Sequence, residues 1–241
     1  MPSEMLVCFV RYSGGAIKGM EDAALATLCA NTHAHDWSLR MVDNWDAREP
    51  LAALWNRVID ESTNPYVCLL NSDCFVGPGW DVGVLAALSQ KTVGAVGPYA
   101  NQGQQCAPDG IADGDGTAPG QLTRMARLCR ERFAGQIRDA RLYGFCLTVA
   151  RTAWRAAGGF DPAVPLYGNE EIFLERMKAK GWRAVIAQDS FAWHVGEASA
   201  RVAQFAGRIS VDAERERGRM ALADETRRLA TQYVDPSPRA L

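Results

Sequence analysis

The sequence has no apolar run long enough to cross a bilayer, and its first residues carry no charged-then-apolar leader pattern. The expectation is a soluble, cytoplasmic protein, with peripheral membrane contact left open. A charge excess is also missing. Lys and Arg number 26 against 28 Asp and Glu, for a net charge of −2, which excludes a chain-wide polycation. No Cys-x-x-Cys pair occurs, and the seven cysteines (Cys8, Cys29, Cys68, Cys74, Cys106, Cys129 and Cys146) are odd in number and scattered. That argues against a disulfide framework or a zinc site and for buried free thiols in a reducing cytosol. Histidine is scarce, with three copies; His33 and His35 flank the end of a predicted helix and suggest no role. No internal repeat is visible.

What is present fits one large α/β domain, or a core domain with a helical tail. The chain has 241 residues, 48% of them apolar, enough for a sizeable core. Strands are predicted at Met5 to Tyr12, Leu39 to Val42, Tyr66 to Leu70 and Val93 to Val96. Helices alternate with them over Ala16 to Cys29, Leu51 to Glu61 and Asp81 to Gln90. This alternation predicts a mostly parallel sheet with helices on both faces. Pro98 to Gly120 then breaks the pattern as a long Gly-, Gln- and Asp-rich loop, a length that is usually functional or disordered. Helices follow over Gln121 to Phe133, Arg151 to Ala157 and Asn169 to Lys180, with strands at Leu142 to Val149, Arg183 to Ala187 and Phe191 to Trp193. From Ala198 the chain reads as helical, ending in a Pro-Ser-Pro tail.

The most informative stretch is Tyr66-Val67-Cys68-Leu69-Leu70 followed by Asn71-Ser72-Asp73. A buried-strand pattern ends abruptly in polar side chains, at the strand end where open α/β sheets bind ligands. A carboxylate there can hold a divalent cation, and the cation a diphosphate. A polar turn with no further role is the competing reading. Asp43-Asn44 ends the second strand, Tyr12-Ser13 the first, and Gly168-Asn169-Glu170-Glu171 and Trp193-His194 come much later.

This order resembles that of the inverting family 2 glycosyltransferases, which have a GT-A fold. The resemblance covers roughly residues 5 to 197. It rests on Leu69 to Trp80, similar to Leu-Asn-x-Asp-x-x-x-x-Pro-Gly-Trp, and on Gly144-Phe145-Cys146-Leu147 through Gly158-Gly159-Phe160-Asp161 to Glu170-Glu171 and His194. It implies a Rossmann-like nucleotide-sugar half over 1–97, an acceptor half over 98–197 and a helical extension over 198–241. It also implies transfer of a sugar from a nucleoside diphosphate sugar, UDP by default, to a hydroxyl with inversion. In that reading Asp43, Tyr12 and Ser13 border the nucleoside. Asn71, Ser72 and Asp73 form the Asp-x-Asp-like turn. Asp73 and His194 ligate Mn²⁺ or Mg²⁺, an imidazole favouring Mn²⁺. Glu171 is the general base and Glu170 its support or rival. The sequence departs from the family's Glu-Asp-x-Asp-Leu, having Glu170-Glu171-Ile172-Phe173-Leu174. Both acids also suit a helix N-terminus without any further role.

The stretch Arg124, Arg127, Arg130, Arg132, Arg138, Arg141, Arg151 and Arg155 contains no Lys. It suits an anionic acceptor such as a lipid-linked or acidic glycan, or DNA; a solvated face is the plainer reading. Two other functions stay open. A nucleotidyltransferase would need a Gly-rich basic loop, faintly matched by Ser13-Gly14-Gly15-Ala16-Ile17-Lys18. A non-catalytic nucleotide-sugar or glycan-binding module would need no intact acids.

Overall fold

The computed structural model describes residues 4–34, 36–164 and 166–233. His35 and the Pro-Ser-Pro tail lie outside the described residues. An eight-stranded sheet is built from β1 (Met5–Arg11), β2 (Trp37–Asp43), β3 (Tyr66–Asn71), β4 (Cys74–Val76), β5 (Val93–Tyr99), β6 (Ile137–Asp139), β7 (Cys146–Ala150) and β8 (Arg183–His194). The helices are α1 (Lys18–Asn31), α2 (Leu51–Glu61), α3 (Trp80–Leu88), α4 (Gln121–Phe133), α5 (Arg151–Ala157), α6 (Asn169–Ala179), α7 (Ala198–Phe205) and α8 (Val211–Tyr233). The order across the sheet is β2-β1-β3-β7-β5-β8-β4, with β6 on β8.

The long ladders, β1 with β2 and β3 and β5 with β8, are parallel; β7 is inserted antiparallel between β3 and β5. Registers Arg11↔Asp43 and Val10↔Asn71 bring three carboxyl ends to one edge. Because β7 runs the other way, its entry residues Gly144 and Phe145 arrive at that same edge, beside Leu70↔Cys146. Val67 to Leu70 are all buried, as expected of a strand covered on both faces. Helix α2 shows why it packs where it does. Leu51, Leu54, Trp55, Val58 and Ile59 fall on one stripe, and all but the partly buried Leu51 are fully inside.

Four details differ from the sequence expectation. β4 and β6 are three-residue strands, too short to leave a period. β7 begins at Cys146, not Leu142; Gly144, just before it, is pressed against Trp55, where a β-carbon would lie 2.8 Å from the ring. Arg183 to His194 is one strand, its two expected parts joined through a register shift against β5. Of the cysteines, Cys29 and Cys106 are exposed and the other five buried. Burial pushes the Cys8 and Cys129 thiols up to about 12, which leaves them inert.

The arginine-rich stretch has a structural use. Arg124 donates to the Asp113 carbonyl at 2.8 Å and Arg138 to the Gln104 carbonyl at 3.2 Å. Arg132 reaches the Asp109 carbonyl and Arg130 the Pro78 carbonyl. Arg127 pairs with Glu131 and Arg141 with Glu171. Arg124, Arg132 and Arg138 thus fasten the loop after β5, which begins at residue 100 because β5 runs on through Tyr99, and whose own sequence lacks an apolar period.

Candidate active site

The aligned strand ends open into a cleft of about 780 Å³. Strand β4 pairs antiparallel with β8 in the register Cys74↔His194, and the Val195 N–H bonds the Asp73 carbonyl. That pairing carries Asp73 to His194, 121 residues later in the chain, with Nε2 3.1 Å from Oδ1. Burial alone would raise the Asp73 carboxyl. The His194 ring and the Ala198 N–H outweigh it and hold the group below the usual carboxylate range.

His194 is held from several sides. Phe145 stacks on its ring at 4.6 Å. Asn101 bonds both its backbone N–H and its carbonyl, and the Gln102 amide lies 2.8 Å from Nδ1. Asn101 and Gln102 lie at the start of the loop after β5, so the aperiodic loop serves the site. A carboxylate and an imidazole 3.1 Å apart are spaced as neighbouring ligands on one cation, with a donor set suited to Mn²⁺. Among the described residues no group of three or more His, Cys, Asp or Glu is placed to hold a metal ion, so the remaining ligands would be water and substrate oxygens.

Glu170 enters the same cleft from the first turn of α6. Its carboxylate accepts from the Gly144 N–H at 3.4 Å. Burial pushes it up to about 7, and the charge of Glu171 adds to the rise; its own N–H, Gly144 and Arg141 pull the other way. Glu171 lies outside the cleft lining and pairs with Arg141 at 2.9 Å. The helical period explains the difference. Phe173, Leu174 and Met177, at i+3, i+4 and i+7 from Glu170, form the buried stripe beneath it, with Asn169 and Ile172 also buried on α6. Glu171 stands about 100° round the helix from that stripe.

Of the other expected site residues, Tyr12, Asn71 and Ser72 line the cleft. Ser72 is tied up: its hydroxyl donates to the buried Glu21 carboxylate at 3.2 Å and lies 3.5 Å from the Ser199 hydroxyl. Ser13 and Asp43 do not line the cleft. The Ser13 hydroxyl accepts from Gly15 N–H, and exposed Asp43 accepts from Trp45 N–H at 3.0 Å. Trp45 itself meets Tyr12 edge-on at 5.8 Å.

Residues between Ser199 and Arg215 roof the cleft, a role their sequence did not signal. The Ala198 N–H bonds Asp73 and Ser199 touches Ser72. The Arg208 guanidinium lies 3.6 Å over the Trp45 ring. Arg48 and Arg201 also line the cleft, and their side chains have no partner among the described residues. Tyr167 bonds Glu197, which pairs with Arg215. Farther along α8, Glu225 pairs with Arg176 at 2.7 Å, and Arg176 also holds Asp161. The cleft thus has a β1–β2 end, with Tyr12, Arg48 and Arg208, and an α6 end, with Tyr143, Gly144, Tyr167 and Glu170.

At the level of sequence, no protein-family model and no curated protein matches this chain. Solved structures do resemble it. One is GalNAc-T7 with UDP, GalNAc and Mn²⁺, at a TM-score of 0.58 and 13% identity over 80% of this chain and 43% of that one. This chain therefore spans less than half the length of that protein. Another is the mannosyltransferase PcManGT from Pyrobaculum calidifontis in complex with GDP-Man and Mn²⁺, at 0.52 and 16% over 98% of this chain and 77% of that one. These likenesses show the fold, a GT-A-like α/β architecture as the resemblance implied.

Proposed function

We propose that this protein is a divalent-cation-dependent glycosyltransferase that moves a sugar from a nucleoside diphosphate sugar to an acceptor hydroxyl, with inversion. The observation that carries this reading is one cleft holding both the Asp73–His194 pair, 3.1 Å apart, and Glu170, whose carboxyl is raised to about 7. The two structural neighbours were solved with Mn²⁺ and with UDP and GalNAc or with GDP-Man, which supports the substrate class. UDP stays the default and GDP the rival.

Asp73 and His194 would hold the cation, which when bound offsets charge on the departing diphosphate. Arg48 and Arg201 are the unpartnered cleft cations available to the phosphates, while Arg208 is held by the Trp45 ring and carbonyl. Tyr12 and Trp45 flank the nucleoside end. Glu170 is the better-placed base. Ionised, it takes the proton from the acceptor hydroxyl while that oxygen forms its bond to the anomeric carbon. The bond to the diphosphate breaks on the opposite face, so configuration inverts. A pKa near 7 suits a base working at neutral pH. Glu171, paired with Arg141, acts on Glu170 through its charge.

The test is release of nucleoside diphosphate from a panel of UDP- and GDP-sugars, with and without Mn²⁺, and the anomeric configuration of any product by NMR. Release that needs the metal, with an inverted product, is the expected result. Absence of release from every donor would leave the non-catalytic binding module. A retained product would remove Glu170 from the role of base.

A further inference from the structure

Glu21 is a buried acid that the proposed reaction does not use. Helix α1 has one buried stripe, formed by Glu21, Ala24 and Leu28 at i, i+3 and i+7. The first place in an otherwise apolar stripe is thus held by a carboxylate, with 2% of its surface exposed. Taking a carboxylate out of water is costly unless its oxygens are well bonded. Here the compensation is thin. Oε2 lies 4.0 Å from the Arg11 Nε, beyond hydrogen-bond distance, and that Nε is itself buried without a partner. Arg11 turns Nη2 to Asp22 instead, at 2.8 Å. Among the described residues, the one hydrogen bond to the Glu21 side chain comes from the Ser72 hydroxyl, 3.2 Å from Oε1.

Ser72 and Asp73 are the two residues between β3 and β4. β3 lies inside the sheet, between β1 and β7, whereas β4 is the last strand, paired with β8. The chain turns a corner there, and the direction of Asp73 depends on how that corner is held. Helix α1 holds it along the unpaired edge of β4. The Thr27 hydroxyl accepts from the Val76 N–H at 3.2 Å, and the Asn31 amide donates to the Val76 carbonyl at 2.7 Å. Those two bonds satisfy the far end of β4 as a further strand would. Glu21 grips the other end through Ser72. A carboxylate accepts only, so the Ser72 proton is committed to Glu21. With the turn fixed from α1, His194 and the Ala198 N–H meet the two Asp73 oxygens.

We propose that Glu21 is a positioning residue for the cation site: by accepting the Ser72 hydroxyl it fixes the turn that presents Asp73 to the cation. This rests on the glycosyltransferase reading, in which Asp73 and His194 hold the metal. Glu21 does not line the cleft, so it acts on the cation only through Ser72. A role in packing alone has the opposite signature. If Glu21 merely seated α1, an apolar side chain of similar size would serve as well or better, and cation binding would not change.

The test measures Mn²⁺ binding to the full chain in the presence of UDP, or of GDP where UDP does not bind, from the electron paramagnetic resonance signal of free Mn²⁺. Melting temperature is read beside it, and neither measurement needs turnover. Glu21→Met removes the acceptor and keeps the bulk. It should melt no lower than wild type, yet bind Mn²⁺ roughly tenfold more weakly, the lower end of the loss typical of a supporting partner. Ser72→Ala should show the same loss, and carries the test even if Glu21→Met does not fold. The two together should cost no more than either alone, because both break one link. Glu21→Gln keeps an oxygen that can accept from Ser72 and should restore affinity to within about threefold of wild type, well under that loss. Asp22→Asn removes the same charge from the exposed face of α1 without touching the turn, and should leave affinity unchanged. Wild-type affinity in Glu21→Met or in Ser72→Ala overturns the proposal. So does a Glu21→Gln protein as weak as Glu21→Met, or a double variant in which the two losses add in full. A wild-type chain that binds no Mn²⁺ with either nucleotide strikes the cation site itself, and the positioning role with it.

Discussion

Gly218 and Gly168 meet backbone to backbone. A β-carbon on Gly218 would lie 2.2 Å from the Tyr167 carbonyl oxygen, and one on Gly168 would lie 3.0 Å from the Gly218 Cα. Neither neighbour is a side-chain tip that can swing away. The contact seats α8 at the start of α6, one turn from Glu214 and two residues from Glu170.

Gly218→Ala therefore tests the roof. In an exposed helix the change would stabilise by about 1 kcal/mol; here overpacking should cost about 1–3 kcal/mol or lift α8 away. The expected outcome is a lower melting temperature, or faster limited proteolysis within 198–233, together with weaker nucleotide binding. A variant at least as stable as wild type, with unchanged binding, would mean that α8 is not seated there in solution.

The loop after β5 gives a second prediction. With Nε2 of His194 on a cation, its ring proton sits on Nδ1, and Gln102, whose amide nitrogen faces Nδ1 in this structure, accepts it through its oxygen once the amide is turned over. Gln102→Leu should weaken Mn²⁺ binding about 10- to 100-fold, as loss of such a supporting partner does. The measurement is a Mn²⁺ titration of the melting temperature in the presence of UDP. Unchanged affinity would reduce Gln102 to a loop filler.

How much of this was legible depended on local pattern. The apolar run of β3 ending in Asn71-Ser72-Asp73 was plain, because burial on both faces and a polar turn leave opposite compositions side by side. Helices α2, α4 and α5 were bounded correctly by their stripes and flanking breakers. His194 carried no local signal; only its place in the family order tied it to Asp73, since the β4–β8 pairing that joins them involves a three-residue strand. That Glu170 rather than Glu171 lines the cleft was legible through the Phe173–Leu174–Met177 period; pH and substitution decide which of the two acts as base. The roof was not legible. The stretch from Ala198 read only as helical, and the one hint was Gly218, a glycine inside a helical run that marks close approach.

The nucleoside end separates two readings. Asp43 was expected to contact the nucleoside, but its carboxylate caps Trp45 N–H at the cleft rim, while Arg201 is an unpartnered cation in the lining. Arg201→Ala should weaken UDP binding by roughly tenfold, the scale of one charge-assisted contact. Asp43→Ala should act less, by loosening the Trp45 turn. Calorimetry with UDP and Mn²⁺ ranks the two. A larger loss from Asp43→Ala would restore it as the nucleoside ligand and move the donor toward β2.

The base can be assigned by pH and substitution together. Glu170 must be ionised to take a proton, so kcat/KM should rise with pH through an apparent pKa of about 7. Glu170→Gln should slow transfer by roughly 10²- to 10⁴-fold and flatten that limb, with metal and nucleotide binding kept. Glu171→Gln should keep most of the rate and shift the limb to lower pH, since it removes a charge that raises the Glu170 pKa. Stability supplies an independent readout. The folded carboxyl titrates near 7, above its ordinary 4.5. Between those values the folded state retains a proton that the unfolded chain has lost, so stability falls as pH rises across the window. Glu170→Gln removes that loss and should melt higher than wild type at pH 8, a gain in stability where activity is lost. If Glu171→Gln abolished transfer while Glu170→Gln left the rate and the pH profile intact, the base would be Glu171, freed from Arg141 when substrate binds.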